Sequence, residues 1–329
     1  MVDPKQFLTT SGVIIVAGKG GVGKTAVSAA LAMASSSVGL RTLIIEVEGK
    51  SGLASLFDSE QLSYSDIQLI APRLGVGEVT ARTVLPEDAL LDYLKDHGLK
   101  RISGRLVSTG ALDVVATAVP GISDILVLGK IKQLERSGKY DLIIVDAPAA
   151  GHAITFLRSA SGLEDAVKVG PINTQAKDVL GLLNDPARCR VVLVTAPEET
   201  PVNELIETAY SLEDEVGVSL GPVVVNGVLA ELRGLELSTE QAATEAGISL
   251  TAAEAEHLAD AAQFRLKRTA LQRAQLDRMA QELPLAQLLL PYVFTTQLGP
   301  EGMTTLADSL LSAIRDLPEP TNLPEAPKG

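Results

Sequence analysis

Gly18, Gly23, Lys24 and Thr25 stand at the spacing G-x-x-x-x-G-K-[ST], a pattern that carries phosphate chemistry. Bare backbone N–H groups wrap an anion, the lysine reaches the β/γ oxygens, and the hydroxyl is placed for Mg2+. Glycines are needed because a Cβ would block the close approach or the positive φ angles. A second candidate is Asp146, at the end of the apolar run Tyr140-Asp141-Leu142-Ile143-Ile144-Val145, a strand able to carry a carboxylate to the Mg2+ end of such a site. Glu48 follows another apolar run, Leu43-Ile44-Ile45, and is placed to meet a γ-phosphate. Gly151 would offer its N–H to that phosphate from the small-residue stretch Ala147-Pro148-Ala149-Ala150, expected to be a tight loop. His152 beside it reads either as a ligand or catalytic group, or as a hydrogen-bonded histidine coupling the loop to neighbouring helices. Asn226, at the end of Val223-Val224-Val225, reads either as a partner for an adenine edge or as the cap of the next turn.

These residues need an α/β frame. Val13-Ile14-Ile15-Val16 leads into the glycine loop, and the small-residue segment Thr25 to Val38 leaves it as a helix, which sets a helix N-terminus against the anion. Short apolar runs bounded by turns read as buried parallel strands, here Arg41–Glu46, Tyr140–Asp146, Val191–Thr195, Val223–Asn226 and Leu288–Val293, with a shorter one at Gln68–Ala71. The fold class is therefore α/β, a P-loop domain whose mostly parallel sheet is flanked by helices. Helical insertions are expected at about 86–138, 159–185 and 231–283. Ser238 with Gln241, and Thr251 with Glu254, fit capping boxes in the last of these. Leu276, Met279 and Leu283 form a packing stripe there, and Arg265, Lys267, Arg268 and Arg273 a solvated basic face. Residues 1–316 read as one domain, and the Pro-rich tail 317–329 as disordered.

Composition narrows the partners. The 329 residues are 46% hydrophobic with a formal charge of −13, enough for a large core and against general attraction to nucleic acid or anionic membranes. Aromatics at 3% and no Trp give little for base stacking on single strands. No signal peptide and no apolar stretch of roughly 20 residues is visible, so any membrane contact is expected to be transient. The single cysteine, Cys189, suits a reducing cytoplasm.

Lys19, directly after the first loop glycine, narrows the class. Gly18-Lys19-Gly20-Gly21-Val22-Gly23-Lys24-Thr25 resembles the deviant Walker A motif of a group of dimeric ATPases within the SIMIBI class of P-loop NTPases. Val119-Pro120-Gly121-Ile122-Ser123-Asp124, then Asp146 to His152 with Thr155-Phe156-Leu157-Arg158 behind, is similar to the branch containing ArsA and the tail-anchored-protein-targeting ATPases. The resemblance implies ATP and Mg2+ as cofactors and a homodimer, or a heterodimer with a related subunit, in which Lys19 crosses to the partner's nucleotide. It also implies a client: an apolar helix of a membrane protein, held by the helical insertions. Catalytic roles would fall to Lys19, Lys24, Glu48 and Asp146. The nucleotide would be held by Gly18, Gly20, Gly21, Val22, Gly23, Lys24, Thr25, Ala26, Gly151, Asn226 and Pro291, with Thr25 and Asp146 on the metal. The chain departs from the family at three points: Glu48 stands where an Asp is usual, the paired zinc-clamping cysteines are absent around 231–273, and so are the arsenite-binding cysteines. Two other outputs remain open, a low-turnover ATP-dependent regulatory switch and a ParA/MinD-like positioning ATPase.

Overall fold

The computed structural model describes residues 1–47, 52–96, 98–109 and 121–318. Eight strands form one sheet: β1 (Val13–Gly18), β2 (Thr42–Glu46), β3 (Ile67–Ile70), β4 (Val79–Thr83), β5 (Leu142–Ala149), β6 (Cys189–Thr195), β7 (Val223–Val228) and β8 (Gln287–Pro291). Their order is β3-β4-β2-β5-β1-β6-β7-β8, and every pairing is parallel except that of the edge strand β3 with β4. The strand that feeds the glycine loop therefore lies at the centre, between β5 and β6.

β1 and β2 are buried along their whole length, as strands covered on both faces must be. Alternation sorts their side chains between two cores. Val13, Ile15 and Ala17 join one with the helices Ile122–Arg136, Ala150–Ala166, Pro171–Leu183 and Glu199–Ser211. Ile14 and Val16 join the other with the helices Lys24–Ser37 and Pro300–Arg315. The buried residues of helix Lys24–Ser37 are mostly Ala and Ser, with Val27 and Leu31 among them.

Several elements differ from the sequence expectation. β4 and the helix Pro4–Leu8 were not foreseen: Val79-Thr80-Ala81-Arg82-Thr83 has no continuous apolar run, and the helix has only five residues, capped by Asp3. The stretch 147–152 is not a loop. β5 continues to Ala149, and Ala150 opens a 17-residue helix. Pro148 is tolerated in a central strand because the ladder breaks there, between the pairs Val16–Asp146 and Gly18–Ala149. Helical structure after β5 thus begins at Ala150 rather than at 159. Both foreseen capping boxes form, on the helices Thr239–Ala246 and Ala252–Glu282, and Met279 and Leu283 are buried with Leu276 packed beside them. Val119 and Pro120 lie outside the described residues, as does the tail from residue 319.

Candidate nucleotide-binding site

The loop between β1 and the helix Lys24–Ser37 is shaped by its glycines. A Cβ on Gly18 would run into the Val194 carbonyl of β6, so only glycine lets β1 end this close to its neighbour. Gly23 has φ +91°, caps the helix, and has the Asn226 side chain where a Cβ would go. Gly20 and Gly21 face open space, the latter at φ +87°. The N-terminus of a 14-residue helix thus points at an unobstructed glycine arch, an arrangement that favours an anion. Lys24 Nζ donates to the Lys19 carbonyl across the loop at 3.4 Å. Asn226 Nδ2 donates to the Val22 carbonyl at 3.0 Å. This is a third role for Asn226: β7 holds the phosphate loop in shape through it.

At the other end of the loop stands Asp146. Thr25 Oγ1 donates to its Oδ2 at 2.7 Å and Ser28 Oγ to its Oδ1 at 3.3 Å. Burial pushes the Asp146 carboxyl up to about 6; the Thr25 and Ser28 hydroxyls and the Lys24 charge oppose the shift, and the neighbouring Glu46 charge adds to it. Thr25 and Asp146 are the pair expected on the metal, and their hard oxygen donors suit Mg2+. Among the described residues no group of three His, Cys, Asp or Glu could hold a metal ion. A divalent ion here would have to be shared with nucleotide phosphates.

A cleft of about 590 Å³ opens beside the loop, lined by Gly21, Val22, Ala26, Asn226 and Pro291, all of them foreseen around the nucleotide. Its outer wall was not foreseen. The Tyr292 and Phe294 rings meet tilted by 60°, their centres 4.7 Å apart and their surfaces 52% and 75% exposed, and the Arg265 guanidinium lies 5.7 Å from the Phe294 ring centre. Arg265 also donates to the Ala230 carbonyl, Arg268 pairs with Glu198, and Arg273 with Glu231. Three arginines of the basic stretch are therefore engaged with neighbouring elements while Lys267 is exposed, and two of the arginines line the cleft. Buried Gln272 fastens the same helix to the loop after β7, donating to the Gly227 carbonyl and accepting from the Leu229 N–H.

Residues 11–172 match the family model of the anion-transporting ATPases, ArsA_ATPase. Over that stretch the chain resembles the ArsA ATPase family. ATPase BagA of Mycobacterium tuberculosis is 36% identical over 219 residues, 64% of either chain. ATPase get3 of Neurospora crassa is 29% identical over 202 residues, 60% of this chain and 56% of the relative. ATPase GET3 of Pyricularia oryzae is 30% identical over 167 residues, 49% and 47%. The match spans less than two thirds of the length of these curated relatives.

Against the ArsA pattern, the remaining foreseen residues fall as follows. Glu48 lies outside the described residues. Gly151 is exposed in the first turn of the helix Ala150–Ala166. His152, next along, is near enough to Asp124 for its charge to oppose the upward push of burial on that carboxyl. Lys19 is paired with Glu204 of the helix Glu199–Ser211, a partner that no local pattern announced. Cys189 is fully buried, and burial pushes its thiol up to about 12, so it is no reactive thiolate. Among the described residues, no helix is long and apolar enough to cross a membrane.

Proposed function

We propose that this protein is a member of the ArsA ATPase family, a Mg2+-dependent ATPase whose paired subunits open and close with nucleotide state. The observation that carries the reading is the convergence of the glycine arch, the Thr25–Asp146 hydrogen bond and the cleft bounded by Asn226 and Pro291 on one end of the sheet. The backbone N–H groups of Gly20 to Thr25 hold the phosphates, and Lys24 turns from the Lys19 carbonyl to their oxygens. Thr25 and Asp146 hold Mg2+, which when bound neutralises charge on the β- and γ-phosphates. Val22, Ala26, Asn226 and Pro291 border the space for the base. Glu48 orients the attacking water, Lys19 leaves Glu204 for the partner's phosphates, and the Gly151 N–H senses the γ-phosphate.

For the output, the burial of apolar residues in the helical insertion after β4 favours a switch over a groove. Leu90, Ile125, Leu126, Val127 and Leu128 are buried in the core, Leu91, Leu94 and Ile122 are half-buried, and Val107 of the helix Lys100–Thr109 is exposed. Leu112, Val114 and Val115 lie outside the described residues. Capture of an apolar client helix would need those residues to line a surface; a low-turnover switch needs only that the helices shift with nucleotide.

The test is phosphate release from ATP with Mg2+ and with chelator, for the whole chain and for Lys24→Ala. Release that needs Mg2+ and falls by about 100-fold in the variant is expected. Tight, Mg2+-dependent binding without turnover would leave the switch reading and remove the enzyme. No nucleotide binding would remove both.

A further inference from the structure

β2 ends in the same residue row as Asp146, with another carboxylate. Glu46 is the direct register partner of Asp146 on the adjacent parallel strand, and on its other side it is the register partner of Thr83. Paired residues of parallel neighbours present their side chains to the same face, with backbones about 4.8 Å apart. Glu46 is only 5% exposed, and the Thr83 hydroxyl donates to its Oε2 at 3.1 Å. The row Thr83, Glu46, Asp146 thus runs across the C-terminal end of three strands and stops at the hydroxyl of Thr25.

Burying one carboxylate costs free energy, and burying a second beside it costs more, because the two repel where water cannot screen them. A core position on a buried strand would be cheaper to fill with Val or Ile, like Leu43 to Ile45 before it. A divalent cation would relieve the repulsion between both groups at once. The same pair of charges works in the opposite sense on a bare triphosphate.

We propose that Glu46 is a positioning residue of the phosphate site, whose buried charge raises affinity for Mg2+ through Asp146 and penalises nucleotide that arrives without the metal. The inference rests on the Mg2+-ATP reading above and adds a residue to the site proposed there. Thr83 supports it, donating a hydrogen bond to the carboxylate beside Asp146.

The experiment is binding of a fluorescent ATP analogue to the whole chain, once in a Mg2+ titration and once with chelator, for the unaltered protein, Glu46→Gln, Glu46→Asp and Thr83→Val. Glu46→Gln is expected to raise the Mg2+ needed for half-saturation by about tenfold and to tighten metal-free binding several-fold. Glu46→Asp, which keeps the charge, should stay near the unaltered protein in both, and Thr83→Val should move both readings part of the way. A role in folding alone would weaken both together, with a lowered melting temperature. Parallel weakening, or no change in either reading, overturns the inference and leaves the ATPase reading intact, provided the unaltered protein binds with Mg2+. If the unaltered protein shows no Mg2+-dependent binding, the ATPase reading itself fails. Should Glu46→Gln not fold, Glu46→Asp decides: a metal requirement moved well away from the unaltered value overturns the inference.

Discussion

Lys19 and Glu204 form an ion pair within one subunit, between the phosphate loop and the helix that follows β6. Their side chains are 34% and 41% exposed, so the contact is worth no more than about 1 kcal/mol. A weak pair suits a lysine that must exchange partners. Glu204→Gln should free Lys19 and raise ATP-dependent self-association by up to about fivefold, read by light scattering with ATP and Mg2+. Lys19→Ala should abolish it. A monomer under every nucleotide condition would remove the trans role of Lys19.

Gly23→Ala would place a methyl group both in a left-handed backbone conformation and against the Asn226 amide. We expect a loss of about 1–3 kcal/mol in stability and at least tenfold weaker nucleotide binding, by thermal melting and calorimetry. Adding Asn226→Ala relieves the collision but leaves the backbone strain and frees the Val22 carbonyl, so recovery should be partial. Full recovery would mean that the conformation at Gly23 does not matter.

Asp66 ties the edge of the sheet together, accepting from Arg82 and Lys139 at 2.6 Å each and from the Tyr140 hydroxyl. Burial pushes its carboxyl up, but the hydrogen bonds from Lys139, Tyr140 and Arg82 outweigh burial and hold it below its ordinary value of 3.8. A depressed folded-state value means that the carboxylate stabilises the fold fully above 3.8 and loses that contribution as pH falls through the lowered value. Asp66→Asn should cost about 1–3 kcal/mol near neutral pH and progressively less in acid, by urea unfolding. A constant difference at all pH values would show that packing, not charge, makes the contribution.

Much of the frame was legible along the chain because centrally buried parallel strands read as unbroken apolar runs, as in β1, β2, β5 and β6. β4 escaped because its Thr and Arg residues interrupt the run, and only pairing with β2 makes it a strand. The stretch 147–152 misled because Ala, Pro and Gly read locally as a loop, while Pro148 can sit in β5 where the ladder is already broken. Asn226 drew attention by its place at a strand end, yet its partner, the Val22 carbonyl, lies across the strand order. Arg265 and Arg268 looked solvated because helical spacing says nothing of Phe294 or Glu198 on other elements.

The sequence by itself determined that a glycine arch, a lysine and a hydroxyl stand at phosphate-binding spacing, since that motif is local and its geometry follows from consecutive backbone torsions. Asp146 near Thr25 was legible from its strand, but only the tertiary structure decided which other distant groups face the arch: Glu46 beside Asp146, Glu204 on Lys19 and Asn226 under Val22. The reason is strand order. β1 lies between β5 and β6, and β2 beside β5, so residues far apart in the chain meet at one end of the sheet through hydrogen-bond register, which no short stretch of sequence encodes.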